Sequence, residues 1–288
     1  EMYTFTDASG RSLTLRPEGT APVARAFVEH GMHKLPLPVK LWYEASMFRY
    51  EAPQAGRYRE HTQLGVEAIG SDDPLVDVEV IAVLSDLYAE LRVPGVTLRV
   101  SSMGDPESRL AYRSLLAVHL EAHRDAFSED ERDRMRDNPL RLFDSKNPTV
   151  QAVMVDAPKI VDHLGPEAQA HHDMVQSGLN ALGIAYVQDP MLVRGFDYYT
   201  HTVFEFSCDR LGAQSGIGGG GRYNGLVEQL GGQPTPGVGF GTGVERITLA
   251  LEGVGELESA IDCYVAIAEP HLRVELLPLI RTLRASGL

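Results

Sequence analysis

The order of helix and strand signals predicts an α+β protein in which two strand-rich parts are separated by a helical block. Strand signals recur in residues 3–101 and again in residues 184–208, where short apolar runs lie between turn-forming Asp, Ser, Gly and Pro residues. Residues 106–182 instead carry one helical segment after another. An apolar run at 261–267, followed by a helical pattern at 274–284, indicates the start of a further α/β unit.

These changes of character predict a division of the chain. We expect residues 1–103 and 183–258 to form the two parts of one core, residues 104–182 a helical insertion domain, and residues 259–288 the start of a truncated α/β domain. A length of 288 residues suits roughly two or three domains. The chain has no Met at position 1 and opens on a strand-like run, so we also expect residues upstream of it.

Turn and periodicity signals place the elements of the first part. We predict a helix from Thr20 to Gly31, with Thr20 as its N-cap, and an amphipathic helix from Leu75 to Leu91. Strands are predicted at Val39–Phe48 and Gln63–Gly70, on either side of a long polar loop. Loops longer than about a dozen residues are usually functional, so this loop is a candidate site.

The second part is predicted to hold shorter strands. Strand signals lie at Ile184–Gln188, Leu192–Val193 and Thr202–Cys208. A glycine-rich turn is expected to follow, and Gly237–Gly243 then leads into a helix that ends near Leu251.

Composition and charge restrict the class of protein. A net charge of −14 and a pI near 5.1 argue against a protein that coats nucleic acid through a global basic field, although a local basic channel remains possible. No apolar run is long enough for a transmembrane helix, and the N-terminus does not resemble a signal peptide. Two cysteines, Cys208 and Cys263, favour a reducing, cytoplasmic compartment over a disulfide framework.

The polar loop carries a cluster of arginines. Residues 48–60 read FRYEAPQAGRYRE and contain Arg49, Arg57 and Arg59. Planar guanidinium groups suit bidentate contact with phosphate, so three arginines on a strand-loop-strand could approach a triphosphate from one side. Taken alone, the same segment would more often be a solvated charged hairpin than a phosphate site.

Two segments together resemble a known family. The loop and the residues after it resemble the second signature motif of class II aminoacyl-tRNA synthetases, in the form found in histidyl-tRNA synthetases. The run LVRGFDYYT at 192–200, followed by VFE at 203–205, resembles a signature of the histidyl enzymes. The resemblance implies an antiparallel sheet flanked by helices, with residues 259–288 as the start of an anticodon-binding domain. It also implies activation of L-histidine with ATP and transfer to the 3′ end of tRNA(His), with Mg²⁺ on the phosphates and a homodimeric assembly.

The resemblance assigns the phosphate contacts. Arg49 would bridge the histidine carboxylate and the α-phosphate, offsetting the repulsion between two anions. Arg194 would supply positive charge to the α-phosphate where other class II synthetases use a metal ion, so no metal ligands are expected. Arg57 would be a further ATP contact. Arg246, within a segment that resembles the third class II motif, would reach the γ-phosphate.

A histidine pocket is implied in the same way. Glu18 and Thr20 would accept hydrogen bonds from the substrate ammonium, with help from the amide of Gln63. Glu67 and Tyr199 would contact the imidazole. The expected members are Glu18, Thr20, Gln63, Glu67, Tyr199 and Tyr223. Glu67 lies four residues after Gln63, so alternation along a strand predicts that both side chains share one face. Without the resemblance, Glu18 and Thr20 would read as a loop residue and a helix cap.

Two positions depart from the family pattern. Ala52 stands where the family usually has Arg, which removes one basic contact. His61 stands where an aromatic residue normally stacks on adenine, and Thr62 where His is common. His61 could still stack in the ATP site, but its protonation near the unperturbed pKa of about 6.5 would then alter ATP binding. We therefore expect ATP affinity to depend on pH between roughly 5.5 and 7.5.

Two other motifs have plainer explanations. His119 and His123 have the i, i+4 spacing of a helical zinc site, but no third ligand lies nearby, so an exposed helix face is expected. The glycines of 237–243 could suggest a dinucleotide fingerprint, but the required strand-turn-helix of a βαβ unit is not evident.

Two rival functions stay open from the sequence. One is a non-catalytic regulatory paralogue that binds histidine and partners another enzyme. The other is a pseudo-synthetase domain of a larger kinase that senses uncharged tRNA. The presence of Glu18, Arg49, Arg194 and Arg246 disfavours both, because neither would need an intact set of phosphate-binding arginines.

Overall fold

A computed structural model of the chain describes residues 2–50, 56–145, 147–192, 198–212, 215–251, 264–267 and 269–287. They belong to two compact units, Glu1–Leu251 and Glu252–Leu288. No helix within the described ranges combines the length and hydropathy that a membrane span requires.

Strands and helices alternate through the first unit. Its strands are β1 (Thr4–Thr6), β2 (Ser12–Thr14), β3 (Val39–Phe48), β4 (Glu60–Ile69), β5 (Val96–Ser102), β6 (Val187–Gln188), β7 (Thr200–Cys208), β8 (Gly216–Arg222) and β9 (Gly237–Gly243). Its α-helices are α1 (Thr20–Glu29), α2 (Pro74–Glu90), α3 (Pro106–Ala122), α4 (Glu129–Asp137), α5 (Pro148–Val155), α6 (Pro166–Ala181), α7 (Leu226–Gln229) and α8 (Val244–Leu251). The second unit contains α9 (Leu277–Ala285).

One large sheet organises the first unit. In the part of the chain that the structure describes, the strand order is β3-β4-β9-β8-β7-β5-β6, and only the short β5–β6 pair is parallel. Strands β1 and β2 form a separate hairpin around the turn that begins at Asp7. The prediction of an α+β fold with an antiparallel sheet flanked by helices is therefore confirmed.

The two faces of this sheet have different partners. On the core face, even-numbered residues such as Ala68, Val238 and Phe240 pack against α2 in the main hydrophobic cluster. On the opposite face, which we call the site face, β4 presents its odd-numbered residues, including Gln63 and Glu67. Alternation along the strand separates the two sets, as the sequence predicted for Gln63 and Glu67.

The helical block is divided between two cores. Helices α3 and α5 bury Tyr112, Leu116 and Met154 in a second cluster, which also contains Val203 of β7. Helix α6 instead packs against α2, and its Val175 and Leu179 join the core of the sheet. The insertion domain at 104–182 stays a prediction, and this packing favours an insertion that ends before α6.

The start of α1 differs from the prediction. Thr20 is not the N-cap, because the helix begins at Thr20 and Gly19 precedes it. The Glu18 carboxylate caps the helix and accepts hydrogen bonds from the backbone N–H groups of Thr20 (2.6 Å) and Ala21 (3.0 Å). The Thr20 hydroxyl is thereby available to donate to another residue, Glu67. At the other end, Gly31 lies beyond the helix with φ of +61°, as a C-terminal glycine was expected to do.

Several expectations about the strands differ from the structure, although Val193 and residues 261–263 lie outside the described residues. The glycine-rich segment after Cys208 is not only a turn, because Gly216–Arg222 forms the interior strand β8. The strand expected at Ile184–Gln188 is confined to its last two residues, and Leu192 lies in no strand. Residues 264–267, from the strand expected at 261–267, are not in a strand either. A strand needs a neighbour for its hydrogen bonds, and the described residues of the second unit contain none.

A buried ion pair joins β8 to α2 on the core face. Arg222 and Asp77 are both fully buried, and the guanidinium contacts both carboxylate oxygens, with Nε at 3.2 and 3.0 Å and Nη2 closer still. Arg222 also donates to the backbone carbonyl oxygens of Ser71 and Asp73. Burial raises the pKa of Asp77, but hydrogen bonds and charge from His171 and Arg222 outweigh it and leave the pKa below its usual range. The carboxylate is therefore ionised in the folded protein.

Replacing Asp77 by Asn should destabilise the protein by about 3–5 kcal/mol, because Arg222 would be left as a buried charge without its counter-ion. Chemical denaturation of the first unit measures this free energy. The matched control is Glu79→Gln on the same helix, since Glu79 forms an exposed ion pair with Lys40. That change should cost roughly 0–1 kcal/mol. Equal effects at the two positions would contradict a structural role for the buried pair.

Candidate active site

Glycines line the site face of β8 and β9. Along β9, Gly239 lies opposite Glu67 and Gly241 lies opposite Gly65, while Gly221 of β8 lies opposite Gly239. A Cβ on Gly239 would come within 1.8 Å of Glu67 Oε2 and 2.5 Å of the Val66 carbonyl oxygen. The absence of side chains here lets Glu67 lie flat across its neighbouring strand.

Glu67 is the centre of a hydrogen-bond network. It is fully buried, and its two oxygens accept hydrogen bonds from the Thr20 hydroxyl (2.8 Å) and the Tyr223 hydroxyl (2.6 Å). Burial raises the pKa of Glu67 to about 8, although the two hydroxyl groups oppose the shift, and nearby Glu18 raises it further. A cationic ligand in this pocket would favour the ionised carboxylate.

Glu18 provides a second carboxylate beside the same pocket. Its oxygens hold the first N–H groups of α1, as described above. Burial raises the pKa of Glu18, and the backbone hydrogen bonds from Ala21 and Thr20 act in the opposite direction. Two desolvated carboxylates near each other form a site that suits a positively charged group.

Tyr43 is a member of the site that the sequence analysis missed. Its hydroxyl accepts a hydrogen bond from Gln63 Nε2 at 3.1 Å. A Cβ on either Gly19 or Gly65 would lie about 2.2 Å from its ring, so both glycines make room for the phenol. Burial raises the pKa of Tyr43, and the charges of Glu67 and Glu18 raise it further, so its hydroxyl stays neutral. Tyr43 is an odd-numbered residue of β3 and lies opposite Gly65 of β4. Alternation along β3 was the signal in the sequence that could have identified it.

Three more tyrosines, Tyr198, Tyr199 and Tyr223, lie close together near Glu67. The ring of Tyr198 lies 4.9 Å from that of Tyr199 and 6.2 Å from that of Tyr223, measured between centroids. Tyr199 is 8% exposed, and a Cβ on Gly221 would lie 2.9 Å from its ring. Burial raises the pKa of Tyr198, and Tyr199, Glu18 and Glu67 add to the shift, which places Tyr198 in the same cluster.

Arg49 lies at the end of β3, next to the pocket. Its backbone N–H donates to the Arg59 carbonyl oxygen at 2.8 Å, so the hairpin pairing continues past Phe48. Its Nη2 lies 2.6 Å from Nε2 of His61, which is 7% exposed. His61 is an odd-numbered residue of β4, so it shares the site face with Gln63 and Glu67.

Arg246 of α8 contacts the loop of residues 48–60 through Gly56. Its Nε donates to the Gly216 carbonyl oxygen at 2.5 Å, and its Nη1 donates to the Gly56 carbonyl oxygen at 2.7 Å. Burial lowers the pKa of Arg246, and the charge of Arg57 lowers it further. The two arginines therefore lie close enough to repel each other, and an anion placed near them would relieve that repulsion.

The structure brings together most of the residues that the sequence singled out. Glu18, Thr20, Gln63, Glu67 and Tyr223 form one cluster, linked by hydrogen bonds and by the interactions of Tyr43, and Arg49 follows the adjacent strand β3. Arg194 lies outside the described residues, and so does Ala52.

The two histidines at helical spacing have ordinary structural contacts. His119 Nε2 lies 3.0 Å from the Val153 carbonyl oxygen, and His123 Nδ1 lies 2.9 Å from the His119 carbonyl oxygen. Among the residues that the structure describes, no group of His, Cys, Asp and Glu side chains could hold a metal ion.

An antiparallel sheet with arginines at its strand ends, a glycine-lined face and a buried acidic pocket defines the catalytic core of a class II aminoacyl-tRNA synthetase. The family model described as histidyl-tRNA synthetase matches residues 1–247. The histidine–tRNA ligase of Rubrobacter xylanophilus is 52% identical over the whole chain, which spans 68% of that relative. That of Saccharopolyspora erythraea is 53% identical over 88% of the chain, which spans 60% of it.

The solved structures agree. The chain superposes on apo histidyl-tRNA synthetase from S. aureus with a TM-score of 0.75 and 39% identity, covering 98% of this chain and 70% of that one. The chain belongs to the histidyl-tRNA synthetase family, whose members activate histidine with ATP and attach it to tRNA.

Replacing Gly239 by Ala should destabilise the protein by about 1–3 kcal/mol, because the new methyl group would overlap Glu67 and the Val66 carbonyl oxygen. Chemical denaturation measures the loss. Gly243→Ala is the matched control on the same strand, since a Cβ there meets nothing closer than 3.6 Å. Similar losses for both variants would show that close approach to Glu67 is not the constraint on β9.

The raised pKa of Glu67 should make unliganded stability depend on pH. The folded carboxyl group keeps its proton up to about pH 8, whereas the unfolded one loses it near pH 4.5. The folded state binds more protons in this window, so the free energy of unfolding should fall by roughly a few kcal/mol as pH rises from 5 to 8. Urea denaturation at several pH values should show this fall weakened in Glu67→Gln. Parallel profiles for the two proteins would contradict the shift.

Proposed function

We propose that this chain forms histidyl-adenylate from L-histidine and ATP and transfers the histidyl group to the 3′ end of tRNA(His). The observation that carries the proposal is the convergence of Glu18, Thr20, Gln63, Glu67 and Tyr223 on one pocket next to Arg49. A pocket for a cationic, hydrogen-bonding amino acid thus adjoins an arginine that can contact its carboxylate.

The pocket matches the two polar ends of histidine. Glu18 lies at the rim with a partly exposed carboxylate, and it would accept hydrogen bonds from the substrate ammonium together with Thr20 and Gln63. Deeper in the pocket, Glu67 and Tyr199 would bond to the imidazole nitrogens, with Tyr223 holding Glu67 in place. Groups buried for a hydrogen bond strongly reject analogues that cannot make it. These contacts would exclude apolar amino acids of similar size.

The arginines would bind the phosphates of ATP and stabilise the charge that develops on them. The histidine carboxylate attacks the α-phosphorus, an anhydride bond forms, and pyrophosphate leaves with the electron pair. Arg49 would lie between the two anions, and Arg194 would supply a second positive charge to the α-phosphate. Arg57 and Arg246 would hold the outer phosphates, to which Mg²⁺ comes as the counter-ion of the ATP substrate.

This chemistry needs positioning more than proton transfer. The attacking carboxylate is already ionised near neutral pH, so the adenylation step requires no general base. Preorganised cations that meet the developing charge are then the main source of catalysis. In the second step, a hydroxyl group of the terminal tRNA ribose attacks the carbonyl carbon of the adenylate, and AMP leaves.

A regulatory paralogue is one alternative that the sequence left open. The fold also matches a Bacillus halodurans protein whose name covers an ATP phosphoribosyltransferase regulatory subunit and histidyl-tRNA synthetase, with a TM-score of 0.63. At 24% identity, that match shows the fold alone. The phosphate-binding arginines favour the catalytic function, because a histidine sensor has no use for them.

We also propose the remaining features implied by the family resemblance. The active form would be a homodimer, and its site of action would be the cytoplasm. Transfer would be to tRNA(His), gripped by local basic patches because the overall charge of −14 is repulsive to nucleic acid.

Replacing Arg49 or Arg194 by Ala should slow adenylate formation by roughly 10²–10³-fold, as for the loss of one preorganised donor. Histidine-dependent exchange between ATP and pyrophosphate measures this step, with the full-length protein as the enzyme. The control is Arg25→Ala, since Arg25 is exposed on α1 and pairs only loosely with Glu29 at 3.5 Å. Undiminished exchange in Arg194→Ala would refute its role, and absence of exchange in the wild type would favour the regulatory function.

A further inference from the structure

His61 contacts an arginine of the proposed chemistry. It lies near the start of β4, directly opposite Met47 of β3, and its side chain is buried. Its Nε2 is 2.6 Å from Nη2 of Arg49, a distance typical of a strong hydrogen bond. The ring therefore has a defined polar contact within the site before any nucleotide is considered.

The chemistry of the two groups fixes the direction of this hydrogen bond. A guanidinium has only donors, and it stays protonated at any pH at which the protein is folded. Nε2 of His61 must therefore be the acceptor, which requires a neutral ring with its proton on Nδ1. An imidazolium carries a proton on both nitrogens and could not accept from Arg49.

We infer that His61 is a positioning residue for Arg49, and that protonation of His61 releases Arg49 from the orientation needed at the α-phosphate. The inference rests on the proposed function, since it concerns the rate of adenylate formation. It also gives His61 a different role from stacking on adenine, because the contact is made through a ring nitrogen.

Several elements contribute charged groups to the region around His61. Facing strand β3 contributes Arg49 at its end, and Arg59 pairs with it just before β4. Helix α8 contributes Glu245, which accepts from the Thr62 backbone N–H at 2.7 Å, and Arg246. The neighbour on its own strand is the exposed Glu60.

Two substitutions separate positioning from stacking. His61→Gln places an amide oxygen near the position of Nε2, so it can accept from Arg49 but cannot titrate. His61→Phe keeps an aromatic face for adenine but has no acceptor. If His61 positions Arg49, the exchange rate kcat should fall by about tenfold in the Phe variant, and the Gln variant should recover most of it. If His61 only stacks, the Phe variant should match the wild type, and the Gln variant should have a raised KM for ATP.

The pH profile of kcat supplies an independent readout. Histidine-dependent exchange should be measured from pH 5.5 to 8.5 for the wild type, both His61 variants and His30→Gln, whose histidine is exposed at the end of α1. Titration of the substrate and of Glu18 or Glu67 is common to all four proteins. The wild type and His30→Gln should share an additional loss of kcat on the acid side, and His61→Gln should lack it. Coincident profiles for the wild type and His61→Gln would overturn the inference.

Direct observation of the ring completes the test. Nitrogen-15 NMR of the ring nitrogens in the unliganded full-length protein should show Nδ1 protonated and Nε2 unprotonated at pH 7.5. The opposite tautomer would overturn the hydrogen bond itself. If the wild type shows no histidine-dependent exchange at any pH, the proposed function fails, whereas the NMR result still decides whether His61 and Arg49 are paired.

Discussion

A single buried carboxylate determines how this site is built. Glu67 on β4 binds the first residue of α1 through Thr20 and the end of β8 through Tyr223. Both bonds require Glu67 to lie across β9, and only a glycine at position 239 leaves room for it. Burial raises its pKa to about 8, and once the carboxyl group is ionised it is a strong acceptor for a ligand that brings an N–H group. The same residue thus joins α1, the end of β8 and β9, and it would form the base of the proposed amino-acid pocket.

The opposite face of the sheet supports this arrangement. Arg222, next to Tyr223 in sequence, points to the core face and is held by Asp77. Two consecutive residues at the end of β8 therefore point to opposite faces of the sheet. Arg222 packs against α2, and Tyr223 donates its hydroxyl hydrogen to Glu67. On the site face, Arg49 reaches the edge of the pocket from β3, and His61 of the adjacent strand holds it. The contact between Arg49 and His61 and the contact between Tyr43 and Gln63 are both formed by the β3–β4 pair and the residue that follows β3.

The sequence predicted what depends on local patterns. Alternation placed Gln63 and Glu67 on one face, and the helix signals located α1 and α2 within a few residues. Such patterns cannot predict contacts between residues that are far apart in the sequence. Asp77 and Arg222 are 145 residues apart, so nothing in the neighbourhood of either indicates the partner. The glycines of β8 were read as a turn because glycine is usually a turn residue, whereas here close packing of strands and rings requires it.

We propose that Glu67 recognises the imidazole of histidine from its buried position. Isothermal titration of L-histidine into the wild type and into Glu67→Gln at pH 8.5, where the Glu67 carboxyl group is mostly ionised, tests it most directly in the absence of ATP. The variant keeps one oxygen acceptor for the pocket hydroxyls but loses the charge. We expect the dissociation constant to rise by about 10- to 100-fold, the effect of losing a hydrogen bond to a charged group. Equal dissociation constants for the two proteins would contradict the account.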